Sequence, residues 1–493
     1  MKLVYNVKDR PPFARVLVFA LQQLLAILAA TIAVPTIIGH GMSQSAALFG
    51  AGVGTLVYQL FTRFKSPVFL GSSFAFLGSM AAAFAGAATV NLGFTGLLLG
   101  AVFAGLVYVV IAVVVKCCGT GWINKLMPAV VIGPTVAIIG LSLAGNAIGD
   151  LSKGNVTASV VQDVIVNGER VFDAQGAVVT ETVSKVLCSP YIAILCGLVT
   201  LAVTIACSVY GKKMMKMIPF IIGICAGYAV AAIFTAIGFA ADVDALKVIN
   251  FATFEQLTKA SAWYPDFTFI HAFKGFKDIT GSYIATVAVA YVPVAFVVFA
   301  EHIADHKNLS SIIEKDLLTE PGLDKTLLGD GVGSMAGAFF GGCPNTTYGE
   351  SVGCVAISGN ASVITITVTA CMAILSAFIA PFVLFLASIP SCVMGGVCVA
   401  LYGFIAVSGL KMIQNVDLGD NRNMFVVSVI LIAGIGGMVL TFGKVTITSV
   451  ACALILGILT NLLVNIKKDK TENTADAETA EVAETETKET VNK

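Results

Sequence analysis

Apolar runs long enough to cross a bilayer recur along almost the whole chain, and few folds accommodate that pattern. They fall near residues 14–38, 45–62, 93–115, 126–147, 189–209, 217–238, 280–300, 363–388, 392–410, 424–442 and 446–466. Three shorter runs rich in Gly and Ser lie near 68–86, 328–342 and 343–358. A spanning helix needs roughly 20 such residues, so the pattern predicts an all-α polytopic membrane protein with about 14 segments. Composition agrees: 57% of the 493 residues are hydrophobic and 12% are charged, against roughly 25% charged in a soluble domain. A chain this apolar cannot cover a water-facing surface, so the lipid bilayer is its solvent. A formal net charge of zero argues against nucleic acid as a partner.

Charges between the runs predict orientation through the positive-inside rule. Residues 1–13, with Arg15 just beyond, are basic and are expected in the cytoplasm. Alternate short loops then carry Arg63 and Lys65, Lys116 and Lys125, Lys212 to Lys216, Lys307 and Lys315, Lys411 and Arg422, and finally Lys467 to Lys470. The opposite short loops, 39–44 and 87–92, hold no Lys or Arg. An even count with both termini inside satisfies every one of these positions. No cleavable signal peptide is read, because the first apolar run is too long for one.

The chain divides into two halves, 14–238 (segments 1–7) and 280–466 (segments 8–14), around a polar outside loop at 239–279. A further outside insertion at 148–188 contains the β-branched run 178–183 and is expected to form a small hairpin. Residues 467–493 are low-complexity Ala, Glu and Thr and are expected to be a disordered cytoplasmic tail. An odd number of spans in each half requires the halves to be inverted relative to each other.

Each half has an interrupted third segment. The first is Pro67-Val-Phe-Leu-Gly-Ser-Ser-Phe-Ala-Phe76; its counterpart is Gly341-Gly-Cys-Pro-Asn-Thr-Thr-Tyr-Gly-Glu350. Pro67 and Pro344 deny a helix its early hydrogen bonds, and the residues that follow suit short strands. Two antiparallel strands from segments 3 and 10 could pair near the midplane and leave two short helices whose free N–H groups point at the centre. Paired, interrupted segments in inverted halves are the best sequence pointer to a transporter's binding site. Ordinary glycine-rich helix packing is the competing reading.

Ionisable residues sharpen the expectation. Glu301 ends the apolar run 291–300, and Glu350 sits in the second interrupted segment; carboxylates at this depth are costly and mark function by default. Asp305 lies four residues after Glu301, on the same helical face. The alternatives are a snorkelling Glu301, a capping Glu350 and a surface Asp305. His302 lies off that face and is read as surface packing or a neighbouring-helix contact, with His306 similar. Asp330 is as suited to cap a helix as to bind. His40 and His271 fall in outside loops. The 12 cysteines sit mostly singly in apolar runs with no CxxC pair, so neither metal nor disulfide is expected, nor any cofactor. No hydrolase, metalloprotease or P-loop signature appears, so the chain is not read as an enzyme.

At these residues the sequence resembles the nucleobase/ascorbate transporter family, the uracil–xanthine permeases, over about residues 14–466. The resemblance is most specific at Gly71–Phe76, at Ala300-Glu301-His302-Ile303, and from Lys315 through Gly329-Asp330-Gly331 to Asn345–Glu350. It implies a 7+7 inverted repeat with core and gate domains, symport of a nucleobase with protons or sodium, and a homodimer. It also implies that Glu301 and Glu350 hold the base and that backbone amides at Phe74 and Gly349 face it. Ser73, Tyr348 and Gln23 complete the expected substrate-binding set. Tyr348-Gly349-Glu350 resembles the uracil branch, because purine-carrying relatives usually have an amide in place of Glu350. Two departures stand out: the first-helix motif is Gln22-Gln23 rather than Gln-His, and Asp305 replaces a frequent His with the residue of the purine branch.

The chemistry fits the expectation that the resemblance implies. Uracil offers two carbonyl acceptors and two N–H donors, and ionised carboxylates and backbone amides are complementary to them. The sequence therefore predicts proton-coupled uracil import by alternating access, with Glu301 and Asp305 handling the proton. A purine permease of the same fold is the first rival, favoured by Asp305 and opposed by Glu350. An anion carrier or channel on the same repeat is the second, and it would want Arg or Lys at the centre.

Overall fold

The computed structural model describes residues 3–163, 165–166, 169–170, 180–212, 214–414, 416–442 and 445–466. In the first half, the principal helices are α1 (Phe13–Ile38), α2 (Gln44–Phe61), α3 (Leu77–Ala85), α4 (Val90–Cys118), α5 (Ala129–Ser142), α6 (Pro190–Tyr210) and α7 (Pro219–Ala240). In the second are α8 (Gly281–Ile313), α9 (Leu323–Gly341), α10 (Gly349–Ser358), α11 (Val363–Ser376), α12 (Ser391–Met412), α13 (Asn421–Ile435) and α14 (Ser449–Ile466). Among the described residues, eight helices are long and apolar enough to cross a membrane outright. The protein is a multi-pass membrane protein.

Local chemistry sets the helix starts. Ser43, Thr89 and Thr280 each cap a helix by accepting a backbone N–H, and Pro190 and Pro219 sit in the first turn, where no N–H is needed. The first strand, β1 (Leu70–Ser72), precedes α3. The second, β2 (Asn345–Thr347), precedes α10.

Three boundaries differ from those expected. The run at 280–300 continues as helix to Ile313, because His302 and His306 are buried against neighbouring helices rather than exposed to lipid or water. The run at 363–388 is two helices, Val363–Ser376 and Ala380–Ser388, bent by 83°; Pro381 opens the second and cannot continue the first. The run at 424–442 stops at Ile435. Gly436-Gly437 follow, Gly437 with φ 68°, and the chain then pairs Leu440–Phe442 with Val445–Ile447.

The insertion at 148–188 holds Thr157–Asp163 paired antiparallel with Thr180–Val186; Val178 and Val179 lie outside the described residues. The expected loop at 239–279 contains a helix, Thr268–Gly275, and His271 is on it, 2.8 Å from Asp266 Oδ1. The expected tail at 467–493 also lies outside the described residues.

Two bodies result. In the core, α9 packs on α2 and α4, α8 on α4, and α11 on α1 and α2. In the gate, α5 packs on α12 and α13, and α6 on α7 and α12; α14 joins through Gly457 against Ile430 of α13. Small residues permit these approaches: a Cβ on Gly50 of α2 would overlap the carbonyl of Gly337 on α9, the usual device where lipid supplies no hydrophobic drive between helices.

Candidate functional site

Strands β1 and β2, from opposite halves, form a two-stranded antiparallel ladder with Leu70 opposite Thr347, Gly71 opposite Thr346 and Ser72 opposite Asn345. Ser73 N donates to the Pro344 carbonyl at 2.9 Å and Tyr348 N to the Phe69 carbonyl at 3.2 Å. With their backbone groups paired, the strands can sit inside the protein at membrane depth. Each then feeds a helix start: a short 3₁₀ turn at Phe74–Phe76 leading into α3, and Gly349 at the head of α10.

Side chains lock this crossing. Tyr348 lies across Gly71, where any Cβ would overlap its ring, and its hydroxyl donates to the Ser72 carbonyl at 3.0 Å. Thr31 of α1 reaches the same hydroxyl at 3.4 Å. Asn345 is recessed between Gly54 and Gly337 and donates to the Gly50 carbonyl at 3.1 Å.

At the crossing lies a cavity of about 130 Å³ between core and gate. Its core wall carries Ser73, Phe74, Glu301, Asp305, Thr346, Thr347, Tyr348, Gly349 and Glu350. Its gate wall is mainly apolar: Val136 of α5 with Leu401, Phe404, Ile405, Ser408 and Met412 of α12. Glu301, Asp305 and Glu350 thus share one small space. Asp305 is held by Thr347, whose hydroxyl donates to Oδ2 at 2.6 Å, and it lies beside Gly349. The buried hydroxyl of Ser73, on the core wall, has no hydrogen-bond partner among the described residues.

Six of the seven residues expected to bind substrate line this cavity. Gln23 does not: from α1 its amide donates to the hydroxyl and carbonyl of Ser351, bracing the residue after Glu350. Asp305 is neither at a surface nor alone. His302 is fully buried, with Nδ1 2.7 Å from Asp330 Oδ2 and Nε2 3.0 Å from Thr326. Asp330 therefore ties α9 to α8 rather than capping a helix. His306 is likewise buried, its Nε2 2.7 Å from the Tyr58 hydroxyl.

Sequence reasoning missed Thr346, Thr347 and the gate wall. A Thr–Thr pair in a strand-forming run was a usable signal for the first two. The gate wall had none, since Leu401, Phe404 and Ile405 are the residues any spanning helix contains.

A permease family, Xan_ur_permease, matches this chain at residues 14–172 and 171–442. The chain belongs to that family. It is 37% identical over 475 residues to a uracil permease of Bacillus caldolyticus, covering 96% of this chain and 97% of that one. It is 35% identical to a uracil permease of Bacillus subtilis, covering 96% and 98%, and 32% identical to one of Escherichia coli K12, covering 97% and 98%. The fold also resembles the transmembrane domain of a cyanobacterial bicarbonate transporter, BicA (TM-score 0.54, 15% identity, 93% of this chain and 100% of that one). A murine Solute Carrier 26 anion transporter, member A9, gives a TM-score of 0.56 at 12% identity over 94% of this chain and 69% of that one. As a member of this permease family, the protein is a transporter rather than an enzyme, built as the 7+7 inverted repeat.

Proposed function

We propose that this permease imports uracil by proton symport through alternating access. The observation that carries the reading is the joint presence of Glu301, Glu350 and the α10 start at Gly349 around one small cavity. Two acceptor side chains and N–H donors match a base edge that offers N–H donors and carbonyl acceptors. The apolar gate wall suits the ring and its C–H edge. Relatives at 32–37% identity over nearly their whole length are named uracil permeases, and this supports the same substrate here.

Glu301 and Asp305 are the proposed proton carriers. They lie four residues apart on one face of α8, and both line the cavity. No further cofactor is required; sodium is the alternative coupling ion. We place the protein in the cell membrane with both termini cytoplasmic, as a homodimer. A purine substrate is the second reading, because Asp305 is the purine-branch residue.

Competition decides between them. In cells expressing the protein, excess unlabelled uracil should abolish uptake of labelled uracil while xanthine competes poorly. Equal or stronger competition by xanthine would move the assignment to purines.

A further inference from the structure

A second, larger cavity of about 580 Å³ lies on the face where α1 ends and α14 begins. That volume falls in the range of small-molecule sites, roughly 300–1,000 Å³. Among the described residues, Phe74 is the one that lines both this vestibule and the central cavity. Its ring meets gate residue Tyr402 edge-on, with centroids 5.6 Å apart. Phe74 thus stands between the two spaces, with Tyr402 packed against its ring.

The vestibule is not a bland funnel. His40 stands between Gly39 and Gly41 at φ 51° and stacks on Phe84, with centroids 4.3 Å apart and planes 13° from parallel. This makes a flat shelf on the core side. Facing it, the gate side contributes Ser142, Asn146, Thr448 and Ser449. The Thr448 hydroxyl is buried without a hydrogen-bond partner among the described residues. A planar surface opposite amide and hydroxyl groups is what a flat, uncharged heterocycle with N–H and carbonyl groups needs.

We infer that this vestibule is an outer binding station that holds the permease's planar substrate against His40 before Phe74 admits it to the central cavity. The inference rests on the reading of the central cavity as a nucleobase site. It adds a second site and gives the Phe74 side chain a role distinct from that of its backbone.

The test is substrate protection in full-length protein reconstituted into liposomes. Cysteine is introduced as Asn146→Cys, with Ser142→Cys as an independent second variant. Labelling by a membrane-impermeant maleimide is counted by gel shift against the parent, whose native cysteines give the background. At uracil concentrations several times the outer-site Kd, labelling of the new cysteine should slow by about fivefold. The slowing should persist in Glu350→Gln, which weakens only the central site, and vanish in His40→Ala. Protection that disappears with Glu350→Gln would come from central occupancy alone and overturn the inference, as would protection that survives His40→Ala or is never seen. Calorimetric uracil affinity of Glu350→Gln measured in the His40→Ala background, where the vestibule is removed, reads the central site alone, so failure of that reading is distinguishable.

Discussion

Glu350 enters the first turn of α10, where backbone N–H groups are free and a carboxylate is favoured. An amide there can accept at only one atom. Glu350→Gln should therefore cost about 1.5–3 kcal/mol, roughly 10- to 150-fold in uracil affinity by calorimetry. Affinity within twofold of the parent would remove Glu350 from the site. Asp305 differs because its Oδ2 is already occupied by Thr347. Asp305→Asn should leave uracil binding nearly intact while flattening the rise of uptake as external pH falls. A mutant that keeps the parental pH dependence would return Asp305 to a positioning role for β2. These carboxylates were visible in the sequence because charge inside an apolar run is conspicuous. The contact between Asp305 and Thr347 was not, since it joins positions 42 residues apart. The His302–Asp330 pair was hidden for the same reason: each residue alone looks like a surface or cap position.

Among the elements, the β1/β2 crossing depends on a glycine at 71. A Cβ there overlaps the Tyr348 ring, whose hydroxyl bonds the Ser72 carbonyl. Gly71→Ala should destabilise the protein by about 1–3 kcal/mol and lower its melting temperature in detergent, with uracil binding lost in proportion to the displaced Tyr348. An unchanged melting temperature would mean that the ring can move aside freely. The crossing could be foreseen from sequence because Pro67 and Pro344 interrupt two apolar runs at matching places. The 83° bend before Pro381 carried a similar proline signal, but within a run long enough to be read as one span. The helical extension of α8 past residue 300 had no hydropathy signal, because its polar side chains are satisfied by neighbouring helices.

For the whole molecule, the site lies between a core wall that carries the polar groups and a gate wall that is mainly apolar. On the proposed reading, substrate and proton would be bound by the same body, and relative movement of the two bodies would expose them together to either side of the membrane. The inverted halves were readable from parity and charge; which helices form the gate was not, because their faces are uniformly apolar. Coupled, concentrative uracil transport is the central claim. Its most direct test is labelled-uracil uptake into proteoliposomes of the purified protein, with an acid-outside pH gradient at equal sodium on both sides. The account predicts accumulation above the bath concentration that collapses on adding a protonophore. Equilibration without accumulation, or accumulation that follows an imposed sodium gradient and ignores the protonophore, would contradict it.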